Sequence, residues 1–284
     1  MDYTVNRQHK DRLFRFLFGE SKENALSLYN ALNHSSYTKA EQLEFTTIGD
    51  ALYMGMKNDL SFLFEMELSV YEHQSTLNPN MPLRGLLYLP RLFEAYVTKQ
   101  RVSIYDSALL RLPTPHYVVF YNGKEKAPET WEMRLSDAFD HPGGCVELVV
   151  TVYNINAGNN RELMEQCRPL GEYAELISLI RQNQAAGMEI GSAVNSAVDA
   201  CINRGILADV LIKHKAEVVG MLLTEYNEAE TMELIRESAE RRGMEKGILK
   251  SIRSMMETLK LTSAQAMDVL SIPASEQPQY LAKL

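Results

Sequence analysis

Two acidic side chains and one polar side chain are spaced so that a β-hairpin would bring them together. Asp59 begins one extended segment, and Glu72 and Gln74 stand near the end of the next one. Because only a few residues separate the two segments, they are predicted to pair as an antiparallel hairpin with Asp59 beside Glu72. Residues i and i+2 of a strand share a face, so Glu72 and Gln74 are expected to point together while His73 points away.

This spacing predicts a divalent-metal site. Two carboxylates at one end of a sheet form a hard, all-oxygen site that suits Mg²⁺, with Mn²⁺ as a substitute. The ligands would be the carboxylates of Asp59 and Glu72 and the backbone carbonyl of His73. A metal held there polarises a phosphodiester and supplies hydroxide near neutral pH, while Gln74 orients the attacking water or contacts the phosphate. The spacing alone does not distinguish this site from solvated loop carboxylates, which are common at strand ends.

The elements around the hairpin predict an α/β core followed by a helical region. Hydrophobic periodicity gives both helices and strands up to about residue 160, and only helices after it. The predicted elements of the first part are helices at 8–18, 22–32 and 83–100 and strands at 42–48, 59–64, 67–74, 117–121 and 146–155. The predicted helices of the second part are 161–183, 190–204, 208–221 and 229–259, with two short helical segments in 262–284. We therefore predict a core domain over 1–160 and an acidic helical region over 161–284.

The composition excludes several classes of protein. The 284 residues are 45% hydrophobic and 23% charged, which is typical of globular chains rather than disordered ones. Three widely separated cysteines without a CxxC pair, and six histidines without a zinc-binding spacing, argue against a disulfide scaffold and a zinc site. No apolar run reaches the roughly 20 residues of a membrane span, and no signal-peptide pattern is present. These features predict a cytoplasmic protein with no membrane partner.

The charge is distributed unevenly along the chain. The net charge is −8, yet residues 1–126 hold 14 basic and 14 acidic residues, whereas residues 127–284 hold 15 and 23. Within the neutral part, the stretch 75–126 carries seven basic residues against three acidic ones. A polyanion such as DNA is therefore allowed as a partner near this stretch, although the charge alone does not require it.

Several separated blocks resemble a known nuclease family. The pattern of Asp59 followed by Glu72-x-Gln74 is similar to the catalytic core of the PD-(D/E)XK nuclease superfamily, with Gln at the usual Lys position. More closely, the chain resembles the Rpn/YhgA-like family of recombination-promoting nucleases and transposases. The resembling blocks are KDRLFRFLF at 10–18, EHQST at 72–76, NMPLR at 80–84, VVFYNG at 118–123 and CRPL at 167–170.

The resemblance implies a fold and an activity. The fold would be a PD-(D/E)XK-nuclease-like mixed central sheet flanked by helices, followed by an all-helical C-terminal region. The activity would be that of a Mg²⁺-dependent DNA endonuclease linked to recombination and mobile elements, with Asp59 and Glu72 as metal ligands. Gln74 would stand where the superfamily has Lys, and its neutral amide predicts modest activity. Asp11 would be an additional acidic residue, or else a carboxylate favoured in the first turn of a helix.

Two cationic residues are candidate DNA contacts. Arg84 at the start of the helix after the motif could contact a phosphate or form a surface ion pair, and Tyr88 shares its helix face. Lys124, in the basic stretch, is a second candidate. A homodimer or higher homo-oligomer is expected if both DNA strands are cut, with the helical region oligomerising or regulating. The alternative is a protein of the same fold that binds DNA or a protein partner and has lost its metal chemistry.

Overall fold

The computed structural model describes residues 12–46, 59–141, 143–281 and 283–284, and for 228–237 the backbone only. Asp11 and the ends of the predicted segments 8–18 and 42–48 lie outside the described residues. The elements are α1 (Arg12–Gly19), α2 (Lys22–Asn33), β1 (Glu44–Phe45), β2 (Leu60–Phe64), β3 (Glu67–Gln74), α3 (Met81–Gln100), β4 (Thr114–Tyr121), β5 (Thr130–Arg134), β6 (Val149–Asn154), α4 (Arg161–Gln166), α5 (Arg168–Ala185), α6 (Ile190–Arg204), α7 (Ala208–Leu259), α8 (Ser263–Val269) and α9 (Gln277–Leu281).

The strands form one mixed sheet in the order β1-β2-β3-β4-β6-β5. The first three strands are antiparallel neighbours, β3, β4 and β6 run parallel, and β5 closes the far edge antiparallel to β6. Helix α3 makes the crossover between the parallel strands β3 and β4, as a parallel pair requires. The predicted α/β class, with a mixed sheet flanked by helices and a helical C-terminal region, is confirmed. Strand β4, which contains the predicted strand 117–121, lies inside the sheet between β3 and β6.

Each face of the sheet is covered by helices. On one face, which we call the α1 face, Tyr71 and Phe120 pack with Phe14 of α1 and Tyr173 of α5. On the opposite face, the α3 face, the neighbouring strand residues pack against α3; this cluster includes Leu68, Val70, Tyr88, Leu92, Tyr117, Val119, Val150 and Val152. Strand β3 is therefore buried on both faces, and its successive residues alternate between them.

A glycine lets α3 lie close to β4. A Cβ atom added to Gly85 would stand 2.5 Å from two ring atoms of Tyr117 and 3.2 Å from a methyl carbon of Leu148. Any larger residue would push the helix away from the sheet or force the Tyr117 ring to move. The neighbouring residue of the helix, Arg84, reaches Glu72 of β3.

The chain divides into two compact units, one ending at Tyr226 and the other covering 227–284. The division falls inside α7, and the helices before it share the core of the α1 face through residues such as Leu170, Val194 and Leu222. The second unit has its own small core of Ile252, Ala266, Met267 and Tyr280. The prediction that the chain has a core domain over 1–160 and a helical region over 161–284 that oligomerises or regulates stays a prediction. In the described part of the chain, no helix has the length and apolar character of a membrane span.

The structure differs from the sequence predictions at several elements. The helix predicted at 161–183 is divided at Cys167 into α4 and α5. Strand β5 was not predicted, and the predicted strand 42–48 is reduced to Glu44–Phe45 in the described residues, preceded by a short 3₁₀ helix. The helices predicted at 208–221 and 229–259 both fall within α7, whose backbone is kinked at His214 rather than interrupted between residues 221 and 229. The residues between them include neither Gly nor Pro, so nothing in the intervening sequence ends the helix.

Candidate functional site

The hairpin of β2 and β3 sets Asp59 opposite Glu72. The two-residue turn has positive φ at Glu65 and Met66, 50° and 60°, which matches the twist of the paired strands. The resulting register pairs Leu60 with Tyr71, so the next position outward places Asp59 beside Glu72 on the same face of the sheet. The predicted antiparallel hairpin is confirmed.

A backbone hydrogen bond holds the Asp59 carboxylate at the end of the hairpin. Its Oδ2 accepts from the backbone N–H of His73 at 2.9 Å. The backbone carbonyl of Gln74 accepts from the backbone N–H of Asn122 at 2.9 Å. Since backbone groups along a strand alternate between its two neighbours, the even-numbered residues of β3 direct their N–H and C=O groups toward β4. The N–H and C=O groups of His73 consequently face the β2 side. The three predicted ligand groups, the two carboxylates and this carbonyl, therefore lie at one corner of the sheet.

The side chain of His73 lies away from this corner. Its imidazole is buried on the α1 face, where Nε2 stands 3.0 Å from the hydroxyl of Tyr173 and the ring contacts Phe14 at 5.5 Å between centroids. The expectation that His73 points away from Glu72 is confirmed. General-base chemistry by this imidazole at the carboxylate site is excluded by its position.

Glu72 is paired with an arginine. The carboxylate has no exposed surface, and its Oε2 accepts from Arg84 Nη2 at 2.7 Å. Arg84 lies on the second turn of α3, and its side chain is 22% exposed. Burial is the largest single influence on Arg84 and lowers its pKa. The Glu72 carboxylate, together with Tyr88 and Tyr117, raises the pKa by more in total, so it lies above its ordinary value and the guanidinium stays charged.

Two phenols complete the surroundings of Glu72. The hydroxyl of Tyr88 accepts from Arg84 Nη2 at 2.8 Å and from Nε at 3.2 Å. The Tyr117 ring stands 6.4 Å from that of Tyr88, and its buried hydroxyl has no hydrogen-bond partner among the described residues. Burial raises the pKa of both phenols, and the negative charges of Glu72 and then Asp59 raise it further. The charges of both carboxylates therefore act on the same two rings.

The remaining predicted residues lie at the same edge of the sheet. Gln74 ends β3, is half-buried, and by strand alternation shares the α3 face with Glu72. Lys124 is exposed in the loop after β4, beside the carboxyl end of β3, because Gln74 pairs with Tyr121 in the parallel register. The structure thus brings Asp59, Glu72 and Gln74 together.

The donor set fits a hard divalent cation. It consists of the carboxylates of Asp59 and Glu72 and the carbonyl of His73, all of them oxygen ligands. Within the described residues, no group of three or more His, Cys, Asp or Glu side chains is arranged to hold a metal. The predicted set contains only two such side chains, so water would supply the other positions. The position next to Glu72 already holds a cationic group, the guanidinium of Arg84.

Sequence reasoning missed the Glu72–Arg84 pair and the role of Tyr117. The spacing of four between Arg84 and Tyr88 was a usable signal for their contact on one helix face. The sequence contains no comparable signal for Tyr117, which reaches the site from a different strand.

The fold and the site define an α/β protein with a mixed sheet and, at the end of a hairpin, two neighbouring carboxylates, one of them buried against an arginine. Comparisons with protein-family models, with curated proteins and with solved structures found no match. The functional argument therefore depends on the geometry of this corner of the sheet.

Proposed function

We propose that the protein is a divalent-metal-dependent DNA endonuclease of the PD-(D/E)XK kind, acting in recombination or on mobile elements like the Rpn/YhgA-like family it resembles. One observation supports this above the others. Asp59 and Glu72 are neighbours on one face of the sheet at the end of the β2–β3 hairpin, and Gln74 follows on the same face. Two neighbouring carboxylates can hold a metal that polarises a phosphodiester and supplies hydroxide, and the third polar group is placed to contact the water or the phosphate.

The residues of the site have separate tasks in this mechanism. Asp59, Glu72 and the carbonyl of His73 would hold Mg²⁺ or Mn²⁺, which when bound supplies a Lewis acid and a source of hydroxide near neutral pH. The hydrogen bond from the His73 N–H keeps the Asp59 carboxylate in place at the corner of the sheet. Gln74 offers amide hydrogen bonds to the water or the phosphate, but no positive charge for the transition state. We therefore expect slow cutting.

The DNA would approach the carboxyl edge of β3 and β4. Lys124 is exposed at that edge, and the neighbouring Lys126 is exposed in the same loop. Both lysines are suited to contact the phosphate backbone without reading sequence. One site serves one strand, so a protein that cuts both strands would act as a homodimer or a larger homo-oligomer.

A second candidate function is binding without cutting. The observation in its favour is that Arg84 neutralises the buried Glu72 without any metal, in a hydrogen-bonded arrangement that includes Tyr88. A buried carboxylate that is neutralised by an arginine can be a structural part of the interior and does not need a catalytic role. A protein with this fold and this pair, and with Gln at position 74, could bind DNA or a protein partner as an inactive relative of a nuclease.

The decisive experiment is nicking of supercoiled plasmid with Mg²⁺ or Mn²⁺. We expect wild-type protein to nick the plasmid slowly, and Asp59→Asn and Glu72→Gln to cut no faster than wild type in EDTA. Glu94→Gln is the matched control, because Glu94 lies on α3 in an exposed pair with Arg91 at 3.0 Å and is expected to leave cutting unchanged. Cutting that survives both site substitutions would show that the site is elsewhere. No cutting by any protein, together with DNA binding, would favour the second candidate.

A further inference from the structure

The Glu72–Arg84 pair is built into the interior of the molecule. The Glu72 carboxylate is completely buried, and the guanidinium at 2.7 Å also donates to the Tyr88 hydroxyl through Nη2 and Nε. A buried carboxylate needs a counter-charge, since an uncompensated charge in the interior is strongly unfavourable. In the structure, Arg84 supplies that counter-charge.

The same carboxylate is a metal ligand in the proposed function, on which this inference rests. A Mg²⁺ ion bonded to a carboxylate oxygen lies about 2.1 Å from it. The guanidinium stands 2.7 Å from the same carboxylate, and the Glu72 side chain has no exposed surface. Two cations that close repel each other strongly, because the interior screens charges less than water does.

We propose that Arg84 and the divalent metal are alternative counter-ions of Glu72, so that the metal must displace the guanidinium in order to bind. Arg84 then neutralises Glu72 in the metal-free protein and sets the metal concentration at which the site fills. Once displaced from Glu72, the guanidinium is available for the other role predicted for Arg84, a contact with a substrate phosphate.

The proposal predicts the sign of a change in metal affinity. Replacing Arg84 by neutral Gln removes the competing cation but leaves both carboxylates in place. We expect Arg84→Gln to bind Mn²⁺ about tenfold more tightly than wild type, within the usual range of coupling between two ligands of one protein. In contrast, an arginine that only organises the site would, when removed, leave the affinity unchanged or weaken it.

The measurement is isothermal titration of the full-length protein with Mn²⁺, in the absence of DNA. The matched control is Arg91→Gln, because Arg91 lies on the same helix and its ion pair with Glu94 is exposed; we expect it to bind Mn²⁺ like wild type. Glu72→Gln is expected to abolish the binding. Melting in EDTA and in Mn²⁺ gives a second readout: Arg84→Gln should melt lower in EDTA and gain more from the metal than wild type.

A second variant covers the case in which Arg84→Gln fails to fold. Tyr88→Phe keeps the arginine and its charge but removes the hydroxyl that holds the guanidinium against Glu72. It is expected to shift the Mn²⁺ affinity in the same direction by a smaller factor.

The outcomes separate the two proposals. Unchanged or weaker Mn²⁺ binding in Arg84→Gln, or in Tyr88→Phe where the first variant does not fold, overturns the competition. If Glu72→Gln still abolishes binding in that case, the proposed metal site stands. Absence of Mn²⁺ binding in wild type and in the Arg84 and Tyr88 variants alike overturns both the competition and the proposed function.

Discussion

At the scale of single residues, two buried phenols beside Glu72 differ in one respect. The Tyr88 hydroxyl takes part in two hydrogen bonds from Arg84, whereas the Tyr117 hydroxyl has no partner in the described part of the chain. An unsatisfied buried polar group costs about 1–3 kcal/mol, and a typical satisfied one contributes about 1 kcal/mol. The same chemical change, removal of one hydroxyl, should therefore have opposite effects at the two positions.

We expect Tyr117→Phe to raise the free energy of unfolding by about 1 kcal/mol and Tyr88→Phe to lower it by about the same amount. The two substitutions remove one oxygen each from neighbouring buried rings, so each serves as the control for the other. Urea denaturation in EDTA measures both. A Tyr117→Phe protein less stable than wild type would show that the hydroxyl of Tyr117 has a partner in solution.

Part of the candidate site could be predicted from the sequence. The short separation between two extended segments sufficed to place Asp59 beside Glu72, and strand alternation sufficed to place His73 on the other face. The partnership of Glu72 with Arg84 could not be predicted, because it joins a strand to a helix. Which helix residue reaches the carboxylate depends on how α3 is rotated and how closely it packs, and neither is encoded in local spacing.

At the scale of elements, the packing of α3 on the sheet decides the geometry of the site. The helix itself was predictable from its periodicity, but its close approach to β4 depends on Gly85 facing the Tyr117 ring. Strand β5 was missed for a related reason. It lies at the edge of the sheet, and its sequence, TWEMR, has too few apolar residues to be recognised before its partner β6 is known.

We expect Gly85→Ala to lower the free energy of unfolding by about 1–3 kcal/mol, the usual cost of overpacking a core. The added methyl group would stand 2.5 Å from atoms of the buried Tyr117 ring, so the ring or the helix would have to shift. Gly220→Ala is the control, since a Cβ there meets no atom within 4 Å on an exposed part of α7. That change should raise the stability by about 0.5–1 kcal/mol, because Ala is the better helix former. Equal effects of the two substitutions would mean that α3 does not pack on Tyr117 as described.

At the scale of the whole molecule, the question is how an acidic protein would present a surface to DNA. Three of the seven basic residues in the stretch 75–126 are in ion pairs, Arg84 with Glu72, Arg91 with Glu94 and Lys99 with Glu44. The other four are exposed and form no ion pair with the described residues: Arg101, Arg111, Lys124 and Lys126.

These four cations are divided between the two ends of β4. Arg101 and Arg111 precede its first residue, and Lys124 and Lys126 follow its last residue. Because β3 and β4 are parallel, only the lysines lie at the edge that carries Glu72 and Gln74. If the carboxylate corner faces DNA, the two pairs of cations should contribute unequally to binding, although they carry the same charge.

We therefore expect the double substitution Lys124→Ala and Lys126→Ala to weaken binding to duplex DNA. The slope of log K against log salt should fall by about 2, because the protein no longer neutralises two of the phosphates. The matched double substitution Arg101→Ala and Arg111→Ala removes the same charge from the other end of β4 and should leave the slope close to that of wild type. Fluorescence anisotropy in EDTA over a series of salt concentrations measures binding without cutting. A larger effect of the arginine pair would place the DNA at the opposite end of the sheet, where it could not reach Asp59 and Glu72, and would contradict the proposed active site.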